Sequence, residues 1–344
     1  MAPAAVGTEA VSLVDKVAFL SALPGVAQVI ETHMAFVFLT EHFAFKLKKP
    51  VSFGYFDHGT LAARAAACTE EVRLNRALAG DVYLGTVPLV LSNAGLGLGG
   101  EGPVVDWLVQ MRRLPANRML DALIVAGQGT APTTIEVSAM VRVLADFYRQ
   151  QQMTPPPADL YSGHLQKEAA VNSAHLSQMA QYLPNLPLMA LTTDLEERVA
   201  SRIPEILARE AAGLVVEGHG DLRPEHVCLI APPVIFDRVE TALELRVIDV
   251  FDEVGYLAAE CALLGRPDIG RHLLQGLTDA GFAPPSAELQ LGYAMFRLAT
   301  RARLALDHLR DPVPSTPEKW PARARLYLTE AIRLSGRAYG RGRQ

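Results

Sequence analysis

The hydrophobic pattern changes near residue 115, and this change limits the possible folds more than any other feature of the chain. Before it, aromatic and β-branched runs alternate with short polar breaks, as in 27–48, AQVIETHMAFVFLTEHFAFKLK, where TEH marks the turn of a predicted β-hairpin. After it, long segments rich in Ala, Leu, Glu and Arg have the pattern typical of helices. Strands followed by helices predict an α+β protein with a boundary between 112 and 118.

The strand-rich part also contains one predicted helix and a glycine-rich segment. Residues 60–78 are rich in Ala, Leu, Arg and Glu, which predicts a helix. Strands are predicted within 82–92 and 104–114. The glycine-rich stretch 96–102 between them lacks the lysine and hydroxyl that end a Walker A phosphate loop, so we predict a hairpin turn there.

Composition argues against several classes of protein. Half of the 344 residues are apolar, the average for globular chains, and the formal net charge of −5 argues against broad electrostatic capture of nucleic acid. Cys68, Cys228 and Cys261 are widely spaced and match no zinc pattern, which favours a reducing compartment. The sequence shows neither a signal-peptide pattern nor an apolar run of membrane-spanning length. We therefore predict a cytoplasmic protein without a nucleic-acid or membrane partner.

Residues 217–229, EGHGDLRPEHVCL, carry the strongest sign of chemistry. They lead into two short predicted strands around a Pro-Pro turn, and the second strand ends at Asp237. A chain that leaves His226 on one strand and returns on the next brings Asp237 beside His226, with Asp221 in the preceding loop. Such a cluster suits phosphoryl transfer, because one carboxylate can orient the attacking hydroxyl while another holds the metal of a magnesium nucleotide. Either aspartate alone is more often a turn cap or a strand end facing water, whereas the ordered set favours the site.

Two segments, HGDLRPEHVCL and VIFD, resemble the catalytic loop and metal-binding hairpin of the aminoglycoside phosphotransferase family, small-molecule relatives of the protein kinases. Other segments, among them IETHMAFVFLTEHFAFKLKKPV and LRVIDVFDEVGYLAAE, are similar to an uncharacterised bacterial branch of that family over about residues 25–310. The resemblance implies a bilobal protein-kinase-like fold. It would comprise an N-terminal extension or helix at 1–24, a small β-sheet lobe for the nucleotide at 25–114, and a larger helical lobe with the catalytic loop at 115–344.

The resemblance also assigns roles around the catalytic loop. Asp221 would be the catalytic base and Asp237 the magnesium ligand, while His219 and Arg223 would support the loop. His226 stands where the family has asparagine, the second metal ligand. Imidazole prefers softer metals than Mg²⁺. His226 would therefore either still reach the metal or a bridging water, or bond to the backbone beside a weakened metal site.

A kinase-like site further requires a strand lysine for the nucleotide phosphates and a helix glutamate that pairs with it. Lys46 fits the A-x-K spacing, and Lys48 is the alternative on the same strand face. Glu71 is the expected partner, with Glu70 as its alternative. The hinge that contacts the adenine would begin at Met111. Without the resemblance, these lysines and glutamates would be interpreted as ordinary surface charges.

Four further residues lie downstream of the loop. The resemblance implies that Asp249 is a structural acid behind the catalytic loop. Arg297, Arg301 and Arg303 recur along one predicted helix, where they could line a pocket for an acidic substrate. Arginines at such spacing more often pair with nearby acids or face water, and we favour that interpretation.

The sequence thus predicts an ATP- or GTP-dependent phosphotransferase that uses Mg²⁺ and acts on a small hydroxylated acceptor. The substitution at His226 favours the alternative, a catalytically impaired nucleotide- or metabolite-binding pseudokinase. A transition-metal hydrolase based on His219 and His226 has the least support, since their seven-residue spacing matches no standard ligand pair. The sequence leaves the acceptor, the choice of nucleotide and the oligomeric state open.

Overall fold

The computed structural model describes residues 11–127, 129–153, 159–310 and 316–336. The chain divides into two compact units, and each is built from two stretches of sequence. The first contains the residues up to Met119 together with His226–Leu245, and the second contains Leu120–Glu225 and the residues from Arg246 onward. Among the described helices, none combines the length and the apolar character needed to cross a membrane.

The secondary structure changes from strands to helices along the chain, as the pattern predicts. In order, the helices and strands are α1 (Leu13–Ser21), β1 (Gln28–Glu31), β2 (Ala35–Leu39), β3 (Phe43–Lys48), β4 (Ser52–Phe53), β5 (Phe56–Asp57), α2 (Leu61–Ala79), β6 (Tyr83–Ser92), β7 (Gly95–Leu98), β8 (Val104–Arg112), α3 (Leu120–Ala126), α4 (Thr134–Gln150), α5 (Leu160–Gln178), α6 (Leu188–Ala211), β9 (Val215–Glu217), β10 (Val227–Cys228), β11 (Val234–Ile235), β12 (Val247–Asp249), α7 (Val250–Leu263), α8 (Pro267–Asp279), α9 (Ala287–Asp307) and α10 (Lys319–Ser335). The predicted α+β fold class is confirmed.

The first unit is built on an antiparallel sheet with the strand order β1-β2-β3-β8-β6-β7. Strands β2 and β3 form the predicted hairpin, in which Val37 lies opposite Lys46. The predicted helix is confirmed as α2, and the Thr60 side chain caps it by accepting a hydrogen bond from the Ala63 N–H. Strand β3 and helix α2 together place a lysine and a glutamate in one unit.

The glycine-rich segment differs from its prediction. Gly95–Leu98 forms a strand that pairs with the end of β6, so the turn predicted over 96–102 is wrong in its first half. Leu96 and Leu98 alternate with glycines and pack against the buried core that includes Leu89. This alternation is itself a strand pattern, and burial of the two leucines favours pairing over a turn.

The second unit is predominantly helical. Helices α5, α6, α9 and α10 enclose its largest apolar core, to which Val215 of β9 and Val247 of β12 also contribute. Strands β9 and β12 pair with each other in antiparallel fashion, with Val247 opposite Glu217. The residues that follow these two strands, 218–225 after β9 and 250 onward after β12, therefore leave this ladder at opposite ends.

His58 is a buried histidine in the first unit, only 2% exposed. Within the described part of the chain, neither of its ring nitrogens has a hydrogen-bond partner. Burial, reinforced by the nearby Lys48 cation, lowers the pKa of His58 from 6.5 to about 4. His58 is therefore neutral in the folded protein at pH 5, where an exposed histidine of the unfolded chain carries a proton.

We expect acid to destabilise the protein through His58. Between pH 6.5 and 4 the unfolded chain binds the extra proton, so stability falls as the pH is lowered through this window. The free energy of unfolding should fall by roughly 2 kcal/mol between pH 7 and pH 5 from this residue alone. Urea denaturation at both pH values measures the fall, and His58→Leu should lack this part of it. An identical pH dependence in His58→Leu would contradict the expectation.

Candidate functional site

Lys46 of the first unit lies between two carboxylates. Its Nζ donates to Glu71 Oε1 at 2.9 Å and to Asp237 Oδ1 at 2.6 Å. Glu71 is fully buried, whereas the side chains of Lys46 and Asp237 are 15% and 39% exposed. The structure thus brings three of the predicted residues together, with Lys46 and Asp237 at the solvent-accessible side of the cluster.

Lys48 extends this cluster on its buried side. Its Nζ donates to the second Glu71 oxygen, Oε2, at 2.5 Å and also bonds to Glu240. The side chains of Lys48 and Glu240 are 2% and 12% exposed. Glu71 therefore binds both candidate lysines at once, one with each oxygen. Among these residues Lys46 alone contacts Asp237, which supports Lys46 over Lys48 as the residue facing a ligand.

Mutual attraction keeps this cluster charged despite its burial. Burial disfavours the charged form of Lys46, but Asp237 and Glu71 outweigh it and hold the pKa of Lys46 well above its usual value. Burial likewise acts against ionised Glu71, and the two lysines outweigh it and lower the pKa of that carboxyl. With Glu240 included, three carboxylates face two ammonium groups, which leaves the cluster with one net negative charge.

The loop that carries Asp237 is fixed by its backbone. Asp237 has a left-handed conformation with φ 64°, and its N–H donates to the Tyr83 hydroxyl at 3.2 Å. The buried Asn75 of α2 accepts from the Arg238 N–H at 2.8 Å and donates to the carbonyl of Glu71 at 2.9 Å. Helix α2 therefore positions both Glu71 and the loop next to Asp237.

His226 lies beside Asp237, as the predicted hairpin requires. Strands β10 and β11 pair, and the Phe236 N–H donates to the His226 carbonyl at 3.0 Å. The His226 Nε2 lies 3.5 Å from Asp237 Oδ2. Asp237 thus has Lys46 at one oxygen and an imidazole at the other.

The carboxylates of this cluster offer few protein ligands to a metal ion. Among the described residues, no group of three or more His, Cys, Asp or Glu side chains is arranged to hold a metal ion. Mg²⁺ at nucleotide sites is commonly held by one or two carboxylates together with substrate phosphates and water. The partly exposed Asp237 fits one such carboxylate, whereas the imidazole of His226 suits Mg²⁺ less well than an oxygen ligand.

The predicted catalytic loop belongs to the second unit. His219 is fully buried, and its Nδ1 accepts a hydrogen bond from the Asp221 N–H at 3.2 Å. The Gly220 N–H donates to Glu253 Oε1 at 2.7 Å, and Tyr148 donates to the other Glu253 oxygen at 2.8 Å. A buried carboxylate from α7 therefore holds the loop backbone.

Two glycines make this close approach possible. A Cβ added at Gly218 would lie 2.5 Å from an Ile248 side-chain carbon and 2.7 Å from Glu253 Oε2. Gly220 has φ 88°, in the left-handed region that other residues rarely adopt. The loop conformation therefore depends on glycine on both sides of His219.

The Asp221 carboxylate is held at both oxygens. Arg223 Nε donates to Oδ2 at 3.0 Å, and the Tyr256 hydroxyl donates to Oδ1 at 3.3 Å. Arg223 also binds Glu225 at 2.5 Å. Burial disfavours the charge of Arg223, but Asp221 in particular outweighs it and raises the pKa of the guanidinium. Arg223 therefore remains charged beside Asp221.

Asp249 is a structural acid at the start of α7, and its predicted position behind the catalytic loop stays a prediction. It is fully buried, caps α7 by accepting from the Phe251 N–H at 2.8 Å, and pairs with Arg209 at 2.5 Å. The arginines of α9 pair with acids, which is the interpretation favoured from the sequence. The pairs are Arg297 with Asp252, Arg301 with Glu260, and Arg303 with Glu168.

The last predicted nucleotide contact, Met111, lies in the sheet. It pairs with Ala44 on β3 and with Tyr83 on β6, and it is 8% exposed within the apolar cluster that these residues share. Its predicted contact with adenine stays a prediction.

Several residues of the site escape sequence reasoning. Glu240 and Tyr83 carry no motif, and the double contact of Glu71 with both lysines follows from packing. Tyr256 and Glu253 lie within α7, which buries them together with Asp252 and Glu260 among apolar residues. Buried polar residues on a predicted helix next to a candidate loop are the signal that could have found them.

Comparisons with known proteins agree with this fold. No protein-family model matches the chain. Uncharacterized proteins of Mycobacterium tuberculosis and Mycobacterium bovis are 30% identical to it over 277 residues, which is 80% of this chain and 53% of each relative. The chain thus spans about half the length of the curated relatives it matches.

Two solved structures share the architecture over nearly the whole chain. A choline/ethanolamine kinase family protein from Mesorhizobium loti has a TM-score of 0.52 and 15% identity, covering 94% of this chain and 95% of its own. Spectinomycin phosphotransferase in complex with ADP and spectinomycin has a TM-score of 0.52 and 11% identity, covering 95% and 99%. The chain therefore has the protein-kinase-like fold of these phosphotransferases, and the resemblance seen in the sequence is confirmed at the level of the fold.

Proposed function

We propose that the chain is an ATP- or GTP-dependent phosphotransferase that phosphorylates a hydroxyl group of a small molecule. The observation that carries the proposal is the position of Lys46 between the carboxylates of Glu71 and Asp237. In protein kinases a strand lysine paired with a helix glutamate contacts the nucleotide phosphates, and a separate aspartate holds Mg²⁺. The same residue types on the same elements of a protein-kinase-like fold support the same roles here.

In this proposal Lys46 binds the phosphates and Lys48 positions Glu71. Lys46 is the more exposed of the two lysines, at 15% against 2%, so phosphates arriving from solvent can reach it. Lys48 holds the other oxygen of Glu71 and is itself held by Glu240. Glu71 therefore keeps a cationic partner when Lys46 turns toward the nucleotide.

Asp237 would hold Mg²⁺, with His226 beside it. A bound Mg²⁺ supplies charge neutralisation on the nucleotide phosphates. One carboxylate oxygen of Asp237 contacts Lys46 in the structure, so the phosphates would have to draw Lys46 away from it. Charge-assisted hydrogen bonds between the ammonium group and several phosphate oxygens would favour such an exchange.

Asp221 would act on the acceptor. The acceptor hydroxyl oxygen bonds to the γ-phosphorus, the bond from that phosphorus to the bridging oxygen breaks, and the nucleoside diphosphate leaves. Asp221 receives the hydroxyl proton, which general-base catalysis requires of a carboxylate held in place. Arg223 and Tyr256 provide that fixation, one at each oxygen.

A second candidate function, nucleotide binding without phosphotransfer, is favoured by His226. This imidazole stands 3.5 Å from Asp237 at a position where the resemblance implies asparagine. A site that binds magnesium nucleotide but transfers no phosphate to any acceptor would support the second function over the first.

Nucleotide binding by calorimetry and thermal unfolding tests what both candidates share. We expect ADP to stabilise the wild type in a Mg²⁺-dependent manner, by about 2.7 kcal/mol when its concentration is 100 times the Kd. Asp237→Asn should lose the Mg²⁺-dependent part, whereas Asp81→Asn, at a carboxylate 86% exposed, should retain it. A wild type that shows no Mg²⁺-dependent nucleotide binding would refute the proposed site.

A further inference from the structure

Two arginines of the second unit converge on one neutral oxygen. Arg301 of α9 donates from Nη2 to the Tyr327 hydroxyl at 3.5 Å, and Arg323 of α10 approaches the same hydroxyl with Nε at 3.4 Å and Nη2 at 3.3 Å. Both guanidinium groups also lie over the Tyr327 ring, at 5.6 and 5.9 Å from its centroid. Two like charges are thus brought together around a residue that cannot neutralise them.

Among the described residues, Glu260 is the carboxylate bonded to this group. Arg301 pairs with Glu260 Oε1 at 3.2 Å, and the Tyr327 hydroxyl donates to Glu260 Oε2 at 3.3 Å. Within the described part of the chain, Arg323 makes no ion pair, and it is partly exposed. This group of three charged side chains therefore carries one net positive charge at a solvent-accessible place.

Arg301 lies on the same side of α7 as Asp221. Tyr256, which donates to Asp221, and Glu260, which pairs with Arg301, are four residues apart on this helix and therefore about 6 Å apart on one face. Burial disfavours the charge of Arg301, yet Tyr256 and Asp221 help to hold its pKa well above the usual value. Asp221 and Arg301 therefore bond to neighbouring side chains on one face of α7.

Four carboxylates and four guanidinium groups share this face, so it is neutral in total, but the pairing among the described residues leaves one guanidinium without a carboxylate. Asp221 and Glu225 share Arg223, and Asp252 binds Arg297. Each of these carboxylates already faces a guanidinium, as Glu260 does. The side chain left without a carboxylate partner among the described residues is Arg323, which suits an anionic ligand better than a cationic one.

We propose that Arg301 and Arg323 form an anion subsite for the acceptor. It would bind a carboxylate or phosphate group of a sugar-sized molecule whose hydroxyl lies at Asp221, so the acceptor class is a small hydroxylated anion. Arginine forks bind such planar or tetrahedral oxyanions with two hydrogen bonds each. This inference rests on the proposed phosphotransferase function, because Asp221 marks the place of the reacting hydroxyl. The anionic group itself takes no part in the transfer.

Matched pairs of ligands test the subsite. Glucuronate and glucose 6-phosphate are compared with glucose by calorimetry in the absence of nucleotide, and as acceptors with ATP and Mg²⁺. We expect at least one of the two anions to bind the wild type at least 10-fold more tightly than glucose. Comparing the two anions distinguishes a carboxylate from a phosphate as the preferred group.

Variants test whether the preference for the anion over glucose depends on Arg301 and Arg323. Arg323→Met and Arg301→Met should each reduce the preference for the anion about 10-fold or more. Arg325→Met is the matched control, since Arg325 lies on the same helix but bonds to the Pro184 carbonyl, and it should keep the preference. Arg323→Met is the cleaner test, because Arg323 has no described ion pair whose loss would unfold the protein.

The outcomes separate this inference from the proposed function. Equal binding of anions and glucose by the wild type, no binding of any of them, or a preference that survives Arg323→Met would overturn the subsite. Anion binding that depends on Arg323 without phosphate transfer to any acceptor would refute the phosphotransferase proposal and keep the subsite. Phosphate transfer to glucose but to neither anion would support the phosphotransferase proposal and overturn the subsite.

Discussion

Asp221→Asn is expected to slow phosphate transfer at least about 100-fold while leaving the fold and the KM for nucleotide unchanged. Removal of a general base typically costs between about 10² and 10⁴ in rate. Asparagine retains an oxygen that can accept from Arg223 or Tyr256, so the loop should keep its conformation. The amide lacks the basicity to receive the hydroxyl proton, and the loss should therefore appear in kcat.

Steady-state kinetics and thermal unfolding of the variant check this expectation. Asp268→Asn is the matched control, because Asp268 pairs with Arg266 at a carboxylate 50% exposed and belongs to no part of the site. The control should keep wild-type kcat. Transfer by Asp221→Asn at the wild-type rate would remove the role assigned to Asp221.

Lys48→Met is expected to lower the free energy of unfolding by about 3–5 kcal/mol, the usual cost of removing one partner from a buried ion pair. The substitution leaves Glu71, which is fully buried, with one cation in place of two, and takes the ammonium from Glu240. Methionine fills a similar volume, so lost charge compensation dominates over any cavity.

Urea denaturation measures the free energy of unfolding of Lys48→Met, which is compared with that of Lys49→Met. Lys49 is the next residue, and it pairs at 2.5 Å with Glu31, whose side chain is 63% exposed. Because Glu31 is solvent-exposed, loss of this pair should cost no more than about 1 kcal/mol. The double variant Lys48→Met/Glu240→Gln should recover part of the loss, since one uncompensated charge is removed. Equal stabilities of the two single variants would show that the buried cluster contributes nothing to folding.

The part of the site that the sequence predicted depends on local geometry. Apolar runs on both sides of a Pro-Pro turn indicated a hairpin, and a hairpin necessarily brings its two ends together, so His226 and Asp237 were expected to be neighbours. The same reasoning holds for β2 and β3, whose alternating pattern placed Lys46 and Lys48 on one face. The pairing of Lys46 with Glu71 depended on the resemblance, because nothing in a helix sequence identifies the strand it will contact.

The contacts that the sequence did not predict join elements far apart in the chain. Period-two alternation assigns Lys48 a face but leaves unknown whether that face is buried, and Glu240 belongs to a segment without a motif. Arg301 and Arg323 lie on separate helices, so their convergence on Tyr327 follows from the packing of α9 against α10. The glycine-rich strand β7 was missed because its glycines outweighed the leucine alternation between them.

Detection of the phosphorylated product tests most directly whether this protein-kinase-like fold carries a working phosphotransferase site. The wild type is incubated with ATP, Mg²⁺ and hydroxylated acceptors, both anionic and neutral, and acceptor and ADP are quantified by mass spectrometry. We expect ADP to form only with a suitable acceptor, this acceptor to gain one phosphate, and Asp221→Asn to form at least about 100-fold less of the product. ADP formation that is independent of every acceptor, or equal in Asp221→Asn, would contradict this expectation.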